Sequence, residues 1–273
     1  MRKAMLGLRC KGKSVGFVPT MGALHEGHGA LVKAARREND FVAVSIFVNP
    51  AQFGPKEDFS RYPRPAAADR KLLKKWGVDY LFAPSAAAMY RAGQTVWVEP
   101  DAALTRGLCG KFRPGHFRGV ATVVAKLFQI VQPARAYFGA KDYQQSVVIE
   151  RMIEDLDFDI VFRRMPTVRE KDGLALSSRN RYLSPAERRR AAAIPAALFA
   201  LRGAVQAGRR DLSGLKQAAV RNLKKAGLRV QYFEIVDPRT LQPLSKVQPQ
   251  MCLLSACFAG KTRLIDNVII ALS

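Results

Sequence analysis

The chain has 273 residues, 48% of them hydrophobic, and a formal net charge of +23, which predicts one large or two unequal domains with ample material for a core. Because no run of about eighteen apolar residues occurs and the first residues are charged, we expect neither a transmembrane helix nor a signal peptide, and a cytoplasmic protein without membrane contact. The four cysteines are scattered along the chain, so we expect no disulfide framework.

Strand-like and helical patterns alternate over the first 165 residues. Apolar, β-branched runs predict strands at Val15 to Val18, Phe41 to Val48, Val78 to Ala83, Ala134 to Phe138 and Phe158 to Met165. Helical periodicity predicts helices at Gly29 to Arg37, Ala66 to Trp76, Val120 to Val131 and Gln144 to Leu156. This alternation predicts a Rossmann-like α/β domain over residues 1–168, with a parallel sheet that binds ligands at the carboxyl ends of its strands.

The pattern changes after Pro166. Alanine- and arginine-rich helices are predicted at Pro185 to Ala207 and Leu212 to Ala226, and strands at Val230 to Val236, Met251 to Phe258 and Arg263 to Ile270. We therefore expect a second, smaller α+β domain over residues 169–273, with a hinge near residues 166–172.

Two histidines follow the first predicted strand. Residues 19–28 read Pro-Thr-Met-Gly-Ala-Leu-His-Glu-Gly-His, which places His25 and His28 three residues apart in the first turn of the next helix. A strand that ends in a glycine-containing turn and opens a helix presents unpaired N–H groups and the positive end of the helix dipole. Imidazoles beside those groups suit a triphosphate whose α-phosphorus is attacked.

The same histidines admit two other interpretations. A zinc-protease helix needs His-Glu-x-x-His, a spacing one residue longer than the one here. The only other histidine is His116, and no Cys-x-x-Cys pair occurs. A zinc site and a pair of solvated histidines without function are therefore minor alternatives.

A second nucleotide motif is formally complete. Residues 7–14, Gly-Leu-Arg-Cys-Lys-Gly-Lys-Ser, satisfy the P-loop pattern G-x-x-x-x-G-K-[ST]. A P-loop must follow a buried strand and open a helix, whereas this segment precedes the first strand. We interpret the match as chance, in a basic loop that enters that strand.

Four groups of polar residues elsewhere could contact an anionic substrate. Residues 177–180, Ser-Ser-Arg-Asn, offer two hydroxyls, a guanidinium and an amide, which match polyphosphate oxygens. Lys141 follows a predicted strand and could meet a leaving pyrophosphate. Arg113 and His116 lie in a turn for which a structural role and an anion contact are equally plausible, and Gln52 and Gln145 could bind a hydroxyl or carboxylate without adding charge.

The excess of basic residues raises nucleic acid as a partner. Lysine and arginine occur on nearly every predicted helix, and no recognition helix, zinc finger or RNA-binding aromatic pair is found. We expect solvated basic faces that attract anionic substrates, and no nucleic-acid partner.

Six blocks together resemble the pantoate–β-alanine ligase family, the pantothenate synthetases of the nucleotidyltransferase superfamily. They are residues 18–28, 44–53, 61–64, 113–117, 139–145 and 172–180, in family order over most of the chain. The resemblance implies a nucleotidyltransferase-type Rossmann-like domain followed by a smaller α+β lid domain, and a homodimer. It also implies that ATP and pantoate form a pantoyl-adenylate and pyrophosphate, after which β-alanine gives pantothenate and AMP, with Mg²⁺ as the expected metal.

The resemblance further implies a set of site residues. The implied catalytic residues are His25, His28, Lys141, Ser177, Ser178 and Arg179. ATP contacts are implied for Met21, His28, Gly139, Lys141, Asp142, Val168, Ser177, Ser178 and Arg179. Pantoate contacts are implied for Met21, Gln52, Gln145, Phe138, Val123 and Val124. Asn49, Tyr62 and Arg113 are candidates for further site residues, and Asp69 is a candidate for the magnesium environment.

Two other functions stay open from the sequence. One is another nucleotidyltransferase of the same superfamily with a different acceptor, against which the blocks around Gln52, Gln145 and residues 113–117 discriminate. The other is a basic nucleic-acid-binding protein without catalysis, which would show salt-sensitive RNA binding and no pyrophosphate release from ATP.

Overall fold

The computed structural model describes residues 1–55 and 57–272. They form two compact units. The first comprises Met1–Asp101, Phe112–Ala140 and Gln145–Pro166, and the second comprises Ala102–Lys111, Lys141–Gln144 and the described residues from Thr167 onward. The main segment of the second unit thus starts beside the predicted boundary, but two short segments from the first 168 residues also belong to it. Contacts between distant parts of the chain create this assignment, so a local sequence pattern does not reveal it.

The first unit is built on a five-stranded parallel sheet. Its strands are β1 (Val15–Thr20), β2 (Phe41–Ile46), β3 (Tyr80–Phe82), β4 (Arg135–Gly139) and β5 (Val161–Met165). The five predicted strands are confirmed, although β2, β3 and β5 are shorter than predicted.

The strand order is β3-β2-β1-β4-β5, so successive strands are added to one side of β1 up to β3 and to its other side from β4 onward. The order of the strands therefore reverses between β1 and β4. These strands pair at Gly16 with Arg135 and at Phe17 with Ala136, and both continue toward their carboxyl ends at Thr20 and Gly139. In open α/β sheets the ligand crevice lies outside the carboxyl ends of the strands at such a reversal. The order therefore points to the segments that follow β1, β2 and β4.

The helices in chain order are α1 (Arg2–Arg9), α2 (Glu26–Glu38), α3 (Ala66–Lys75), α4 (Ala86–Met89), α5 (Ala102–Thr105), α6 (Leu108–Phe112), α7 (His116–Val131), α8 (Tyr143–Asp155), α9 (Pro185–Ala191), α10 (Ala193–Gln206) and α11 (Leu212–Lys225). The four helices predicted in the first 165 residues are present as α2, α3, α7 and α8. Helices α1, α4, α5 and α6 were not predicted from the sequence.

Apolar side chains cover both faces of the parallel sheet. Phe17 and its neighbour Val18 are both fully buried, yet they belong to different hydrophobic clusters, because successive side chains on a strand point to opposite faces. Phe17 packs in the cluster that includes Phe128 of α7, and Val18 packs in the one that includes Leu31 of α2. Helices on both faces keep the sheet fixed beneath the loops at its edge.

The P-loop-like segment lies before β1, in the reverse order of a true P-loop. Its first three residues form the end of α1, and only the remainder is a turn leading to the amino end of β1. The prediction of a loop throughout is therefore wrong for residues 7–9, because that stretch continues an amphipathic helix whose Met5 is buried in the core. The segment does not have the strand-then-helix context that phosphate binding by a P-loop requires.

The second unit contains a three-stranded antiparallel sheet in the order β6-β7-β8. Its strands are β6 (Arg229–Val236), β7 (Gln250–Ala259) and β8 (Thr262–Ala271). Helices α10 and α11 bury apolar residues such as Leu198 and Leu223 against this sheet. The prediction of a single helix from Pro185 to Ala207 is wrong, because the helix is interrupted at Ala192 and forms α9 and α10. Pro195 lies in the first turn of α10, where a missing N–H is tolerated.

All four cysteines lie within the described residues, and none of them forms a disulfide there. In the described part of the chain, no helix combines the length and the apolar character needed to cross a membrane.

Candidate active site

The loop after β1 has an unusual backbone that internal hydrogen bonds hold in place. Gly22 and Ala23 both have positive φ, 82° and 50°. This backbone region is energetically unfavourable for a residue that has a side chain. The Thr20 hydroxyl accepts from the Gly22 N–H at 3.2 Å and donates to the Ser45 carbonyl of β2 at 2.7 Å. The loop is therefore anchored to the neighbouring strand at its start.

The buried carboxylate of Asp69 on α3 anchors the end of the same loop. Its two oxygens accept from the N–H groups of Ala23 at 2.9 Å and Leu24 at 2.8 Å, and its side chain lies in the interior. A buried carboxylate is costly unless hydrogen bonds compensate it, and these two bonds supply the compensation. The contacts give Asp69 a bracing role. They do not support the magnesium role predicted for it, which stays a prediction.

The two histidines form a reciprocal cap at the start of α2. His25 is the N-cap residue, and its Nδ1 accepts from the Gly27 N–H at 3.2 Å, while Nδ1 of His28 accepts from the His25 N–H at 3.3 Å. The ring centroids are 4.2 Å apart. A ring nitrogen that accepts carries no proton, so the hydrogen-bond pattern assigns the proton of each neutral ring to Nε2.

This cap places two Nε2–H donors at the amino terminus of a helix of 13 residues. The helix dipole and the first backbone N–H groups there also favour an anion. The structure thus brings His25 and His28 together at the carboxyl end of β1. The helix begins three residues earlier than the predicted Gly29, because the sequence analysis did not recognise histidine as a capping residue.

Gln52 lies in the short 3-10 helix Pro50–Gln52 after β2, and its amide is oriented by a neighbour. The buried side chain of Asn49 donates from Nδ2 to Gln52 Oε1 and to the Gly119 carbonyl, both at 3.1 Å. Tyr90 donates its hydroxyl to Asn49 Oδ1 at 2.7 Å, and burial raises the pKa of Tyr90 to about 12, which keeps this donor neutral. Because Gln52 Oε1 is engaged, its Nε2 is the end near Met21, 3.2 Å from the sulfur.

Arg113 and His116 hold the main chain of Gln52. His116 Nδ1 lies 2.8 Å from the Gln52 carbonyl and Arg113 Nη2 donates to the same oxygen at 3.2 Å, while Arg113 Nη1 is 3.0 Å from His116 Nε2. A carbonyl only accepts hydrogen bonds, so the hydrogen-bond pattern assigns a proton to Nδ1 of His116. Between the two interpretations of this turn, these contacts favour the structural one.

Glu57 completes this arrangement with a bidentate ion pair. Its carboxylate accepts from Arg113 Nε at 2.7 Å and Nη2 at 2.6 Å. Burial alone would raise the pKa of Glu57, but the Arg113 hydrogen bonds and charge outweigh it and the pKa is lowered. The guanidinium that the sequence offered as a site residue is thus neutralised by Glu57.

The apolar residues predicted around pantoate lie in the core of the first unit. Val123 and Val124 on α7 and Phe138 on β4 share one hydrophobic cluster. Tyr62 is buried, with its ring packed edge-on against Phe53 at 5.9 Å. Gln145 is half-buried on α8. The pantoate contacts of the two valines, Phe138 and Gln145 stay predictions, as does a site role for Tyr62.

In the second unit, a hairpin leads into the serine–arginine segment. Arg169 bridges Ala175, and the Val168 carbonyl accepts from the Leu176 N–H at 2.9 Å. Ser177 then caps the 3-10 helix Ser178–Tyr182, with its hydroxyl oxygen accepting from the Arg179 N–H at 3.3 Å. Since this oxygen accepts from the backbone, the hydroxyl hydrogen is the part of Ser177 that can donate to an anion.

The remaining predicted residues surround the 3-10 helix Ala140–Asp142 after β4. Gly139 ends β4, with open space where a side chain would stand. In the second unit, Lys141 Nζ lies 3.5 Å from Asp142 Oδ1, and the Lys141 side chain is 20% exposed. This partial exposure leaves Lys141 accessible to an anionic group.

Two residues with clear roles were missed from the sequence. Tyr90 and Glu57 act on Asn49 and Arg113 across 41 and 56 residues of chain, and neither belongs to a recognisable local motif. Within the described residues, no cluster of three or more histidine, cysteine, aspartate or glutamate side chains could hold a metal ion.

Comparisons with known proteins agree over nearly the whole chain. A family model described as Pantoate-beta-alanine ligase matches residues 1–269. The pantothenate synthetase of Fervidobacterium nodosum is 52% identical over 260 residues, which cover 95% of this chain and 92% of that protein. Among solved structures, pantothenate synthetase from Thermus thermophilus has a TM-score of 0.92 at 50% identity, covering 97% of this chain and 96% of that one. Pantoate-β-alanine ligase from Francisella tularensis, complexed with beta-gamma ATP and β-alanine, has a TM-score of 0.81 at 38% identity, covering 98% and 95%.

Proposed function

The chain belongs to the pantoate–β-alanine ligase family and makes pantothenate from pantoate, β-alanine and ATP; from this premise we propose a route through a pantoyl-adenylate. A carboxylate oxygen of pantoate attacks the α-phosphorus of ATP, and the bond to the bridging oxygen breaks, so that pyrophosphate leaves with the bonding electrons. The amine of β-alanine then attacks the acyl carbon, AMP leaves, and the ammonium proton passes to solvent.

Positioning and charge stabilisation carry the first step. The attacking carboxylate is already ionised, so no general base is needed, and the barrier falls mainly through alignment and through donors aimed at the charge that develops. Such donors act best when the protein holds them in place before the reaction.

The observation that carries the proposal is the capped histidine pair. Both Nδ1 atoms are occupied by backbone N–H groups, so His25 and His28 present Nε2–H at the start of α2. We assign these donors to the phosphate oxygens of ATP. The helix amino terminus beside them supports the same assignment.

The acid substrate is assigned to the segment after β2. Gln52 presents its amide NH₂ beside Met21 because Asn49 occupies its carbonyl oxygen. An NH₂ group donates, so it suits the carboxylate or a hydroxyl oxygen of pantoate. Gln145 is assigned to the same substrate, and Phe138, Val123 and Val124 to its dimethyl group, on the family resemblance.

The second unit is assigned to the polyphosphate and the nucleoside. On the resemblance, Lys141 and Arg179 neutralise charge that moves to pyrophosphate, and Ser177 and Ser178 donate to phosphate oxygens. Asp142 and Val168 of this unit, and Gly139 of the first unit, are assigned to the nucleoside and its neighbouring groups. The partial exposure of Lys141 and the hydroxyl geometry of Ser177 support these roles. The lid action of this unit stays a prediction.

Mg²⁺ is proposed to enter with ATP, because this ion keeps several waters and is commonly held by substrate phosphates rather than by a protein cage. The residues of this chain therefore bind and orient the nucleotide, and the ion supplies charge neutralisation on the phosphates when bound. An expected homodimer would double the chain mass of 30.2 kDa, which light scattering tests.

Two substitutions of His28 test the proposal. His28→Asn keeps an acceptor near the Nδ1 position and so preserves the cap, but it removes the Nε2–H donor. His28→Gln places an NH₂ close to the Nε2 position. We expect His28→Asn to slow pantoate-dependent pyrophosphate release by about 10²- to 10³-fold, the usual cost of a lost transition-state donor, and His28→Gln to lose less.

The product analysis decides between the functions. With ATP and pantoate but no β-alanine, purified protein should release pyrophosphate, and pantothenate with AMP should appear only after β-alanine is added. Normal turnover in His28→Asn would refute the phosphate role. Release that requires a different acid would refute the pantoate assignment in favour of another nucleotidyltransferase.

A further inference from the structure

Two polar residues are buried side by side on β8 in the second unit. Asp266 is 2% exposed and Asn267 is 5% exposed, while Leu264, Val268 and Ile270 of the same strand pack in the hydrophobic core. Burying a carboxylate and an amide costs free energy unless both are hydrogen-bonded. The hydrogen-bond partners of the two side chains therefore indicate the role of each residue.

Asn267 reaches the backbone of Lys141. Its Nδ2 donates to the Lys141 carbonyl oxygen at 2.8 Å, across 126 residues of chain. Lys141 lies in the single-turn helix Ala140–Asp142, which joins β4 to α8. A buried side chain of β8 thus fixes the main chain from which the lysine side chain extends.

Asp266 holds the hairpin that leads into the serine–arginine segment. Both of its oxygens accept from Arg169, at 2.7 Å and 2.9 Å, and Arg169 also donates to the Asn267 carbonyl at 3.1 Å. The backbone of Arg169 in turn forms an isolated antiparallel β-bridge with Ala175, which lies two residues before Ser177. The adjacent pair on β8 consequently fixes two segments to which phosphate roles are assigned.

We propose that Asn267 is a positioning residue for Lys141 in adenylate formation, and that Asp266 holds Arg169 and its hairpin in the same frame. This inference rests on the phosphate role proposed for Lys141. A lysine is a point charge on a flexible stem of four carbons, so a fixed backbone origin limits where its Nζ can lie. Misplacement of a reacting or stabilising group by about 1 Å can cost 10²-fold in rate.

A double-mutant cycle tests the inference, because Lys141→Ala removes the amine but keeps the carbonyl that Asn267 binds. Asn267→Leu removes the donor at similar volume. In the parent protein we expect Asn267→Leu to slow single-turnover pyrophosphate release by about 10- to 100-fold. In the Lys141→Ala background the same change should slow release by less than about threefold, since coupled residues are not additive.

Two further measurements separate positioning from damage to the fold. The rate at which β-alanine reacts with preformed pantoyl-adenylate should change by less than about threefold in Asn267→Leu, because the substitution is expected to affect only the adenylation step. Thr262→Val makes a polar-to-apolar change of similar volume elsewhere on β8 and should leave both steps unchanged. If Asn267→Leu does not fold, Asn267→Asp, which keeps the volume and sets an oxygen against the Lys141 carbonyl, replaces it in the cycle.

Each outcome is decisive. Equal slowing by Asn267→Leu in both backgrounds would show a merely structural role and overturn the inference. Loss of adenylation in Lys141→Ala with full activity in Asn267→Leu would overturn the inference alone. Full activity in Lys141→Ala would overturn the proposed role of the lysine and the inference with it.

Discussion

At the scale of single residues, several side chains hold in place the groups to which substrate contacts are assigned. Asn49 orients the side-chain amide of Gln52, and Arg113 and His116 hold the backbone carbonyl of Gln52. Asp69 braces the loop that precedes the histidines. Each of these contacts removes a degree of freedom from a loop, which is how a site achieves alignment before substrate arrives.

Asp69→Asn tests the bracing role. The substitution replaces one carboxylate oxygen by an NH₂ group that faces a backbone N–H, which leaves that N–H unsatisfied, so unfolding free energy should fall by about 1–3 kcal/mol. The Mg²⁺ concentration that gives half-maximal rate should not change. Thermal melts and a magnesium titration measure the two quantities.

The control for this change is Asp159→Asn. Asp159 forms an ion pair with Arg9 at 3.6 Å, with the aspartate side chain 97% exposed, and exposed pairs contribute little. It should melt like the parent protein. Normal stability together with a raised magnesium requirement in Asp69→Asn would instead identify a metal ligand.

At the scale of elements, the close approach of α7 holds the segment after β2, to which pantoate binding is assigned. A Cβ at Gly119 of α7 would lie 2.2 Å from the Ala51 carbonyl oxygen, far inside contact distance. Only glycine allows this approach, which also lets Asn49 reach the Gly119 carbonyl. The helix backbone is therefore one wall behind Gln52.

Gly119→Ala should displace that segment. Overpacking of this kind costs about 1–3 kcal/mol, and the KM for pantoate should rise more than the KM for ATP because Gln52 moves with Ala51. Gly203→Ala is a matched control, since a Cβ there meets nothing within 4 Å inside α10. It should stabilise the protein by about 0.5–1 kcal/mol through helix propensity. Equal effects of the two substitutions would contradict the contact described here.

The amino ends of β1 and β2 are joined by a carboxylate that gives a pH dependence. Asp40 accepts from the Ser14 N–H at 2.9 Å, the Ser14 hydroxyl at 2.8 Å and Lys13 Nζ at 3.2 Å. The backbone hydrogen bond is the largest cause that lowers the pKa of Asp40 from 3.8 to about 2. Because the folded pKa is the lower one, the stabilisation is present above pH 3.8 and is lost as the pH falls toward 2.

Asp40→Asn should therefore melt at a lower temperature than the parent protein above pH 3.8, and the gap should close as the pH approaches the folded pKa. Thermal melts across this window measure the gap. A gap that stays constant with pH would show that ionisation of Asp40 does not contribute.

At the scale of the whole molecule, the sequence predicted what depends on local pattern. Alternating apolar runs identified the strands, because those signals lie within ten to twenty neighbouring residues. The phosphate site that the strand–turn–histidine order indicates stays a prediction. The contacts around Gln52 could not be predicted, since Asn49 meets Gly119 across 70 residues. The grouping of the short segments 102–111 and 141–144 with the second unit also depends on contacts between distant parts of the chain.

The net charge of +23 is also a property of the whole molecule. Such a charge raises the encounter rate of anions, and salt screens it over about 10 Å at 0.1 M. We expect kcat/KM for pantoate to fall several-fold between about 10 and 150 mM KCl. β-Alanine is a zwitterion without net charge, so its rate with preformed adenylate should hardly change, and equal salt effects on both substrates would exclude steering.

The bond from Asn267 to the Lys141 carbonyl also sets an order of events during synthesis. The ribosome makes the lysine 126 residues before the asparagine that holds its backbone. The parallel sheet, whose last strand ends at Met165, can assemble while β8 is still unmade. A nascent chain can thus fold its first unit and form the histidine cap of α2 early. The Asn267 bond can fix the backbone of Lys141 only after the final strand has left the exit tunnel.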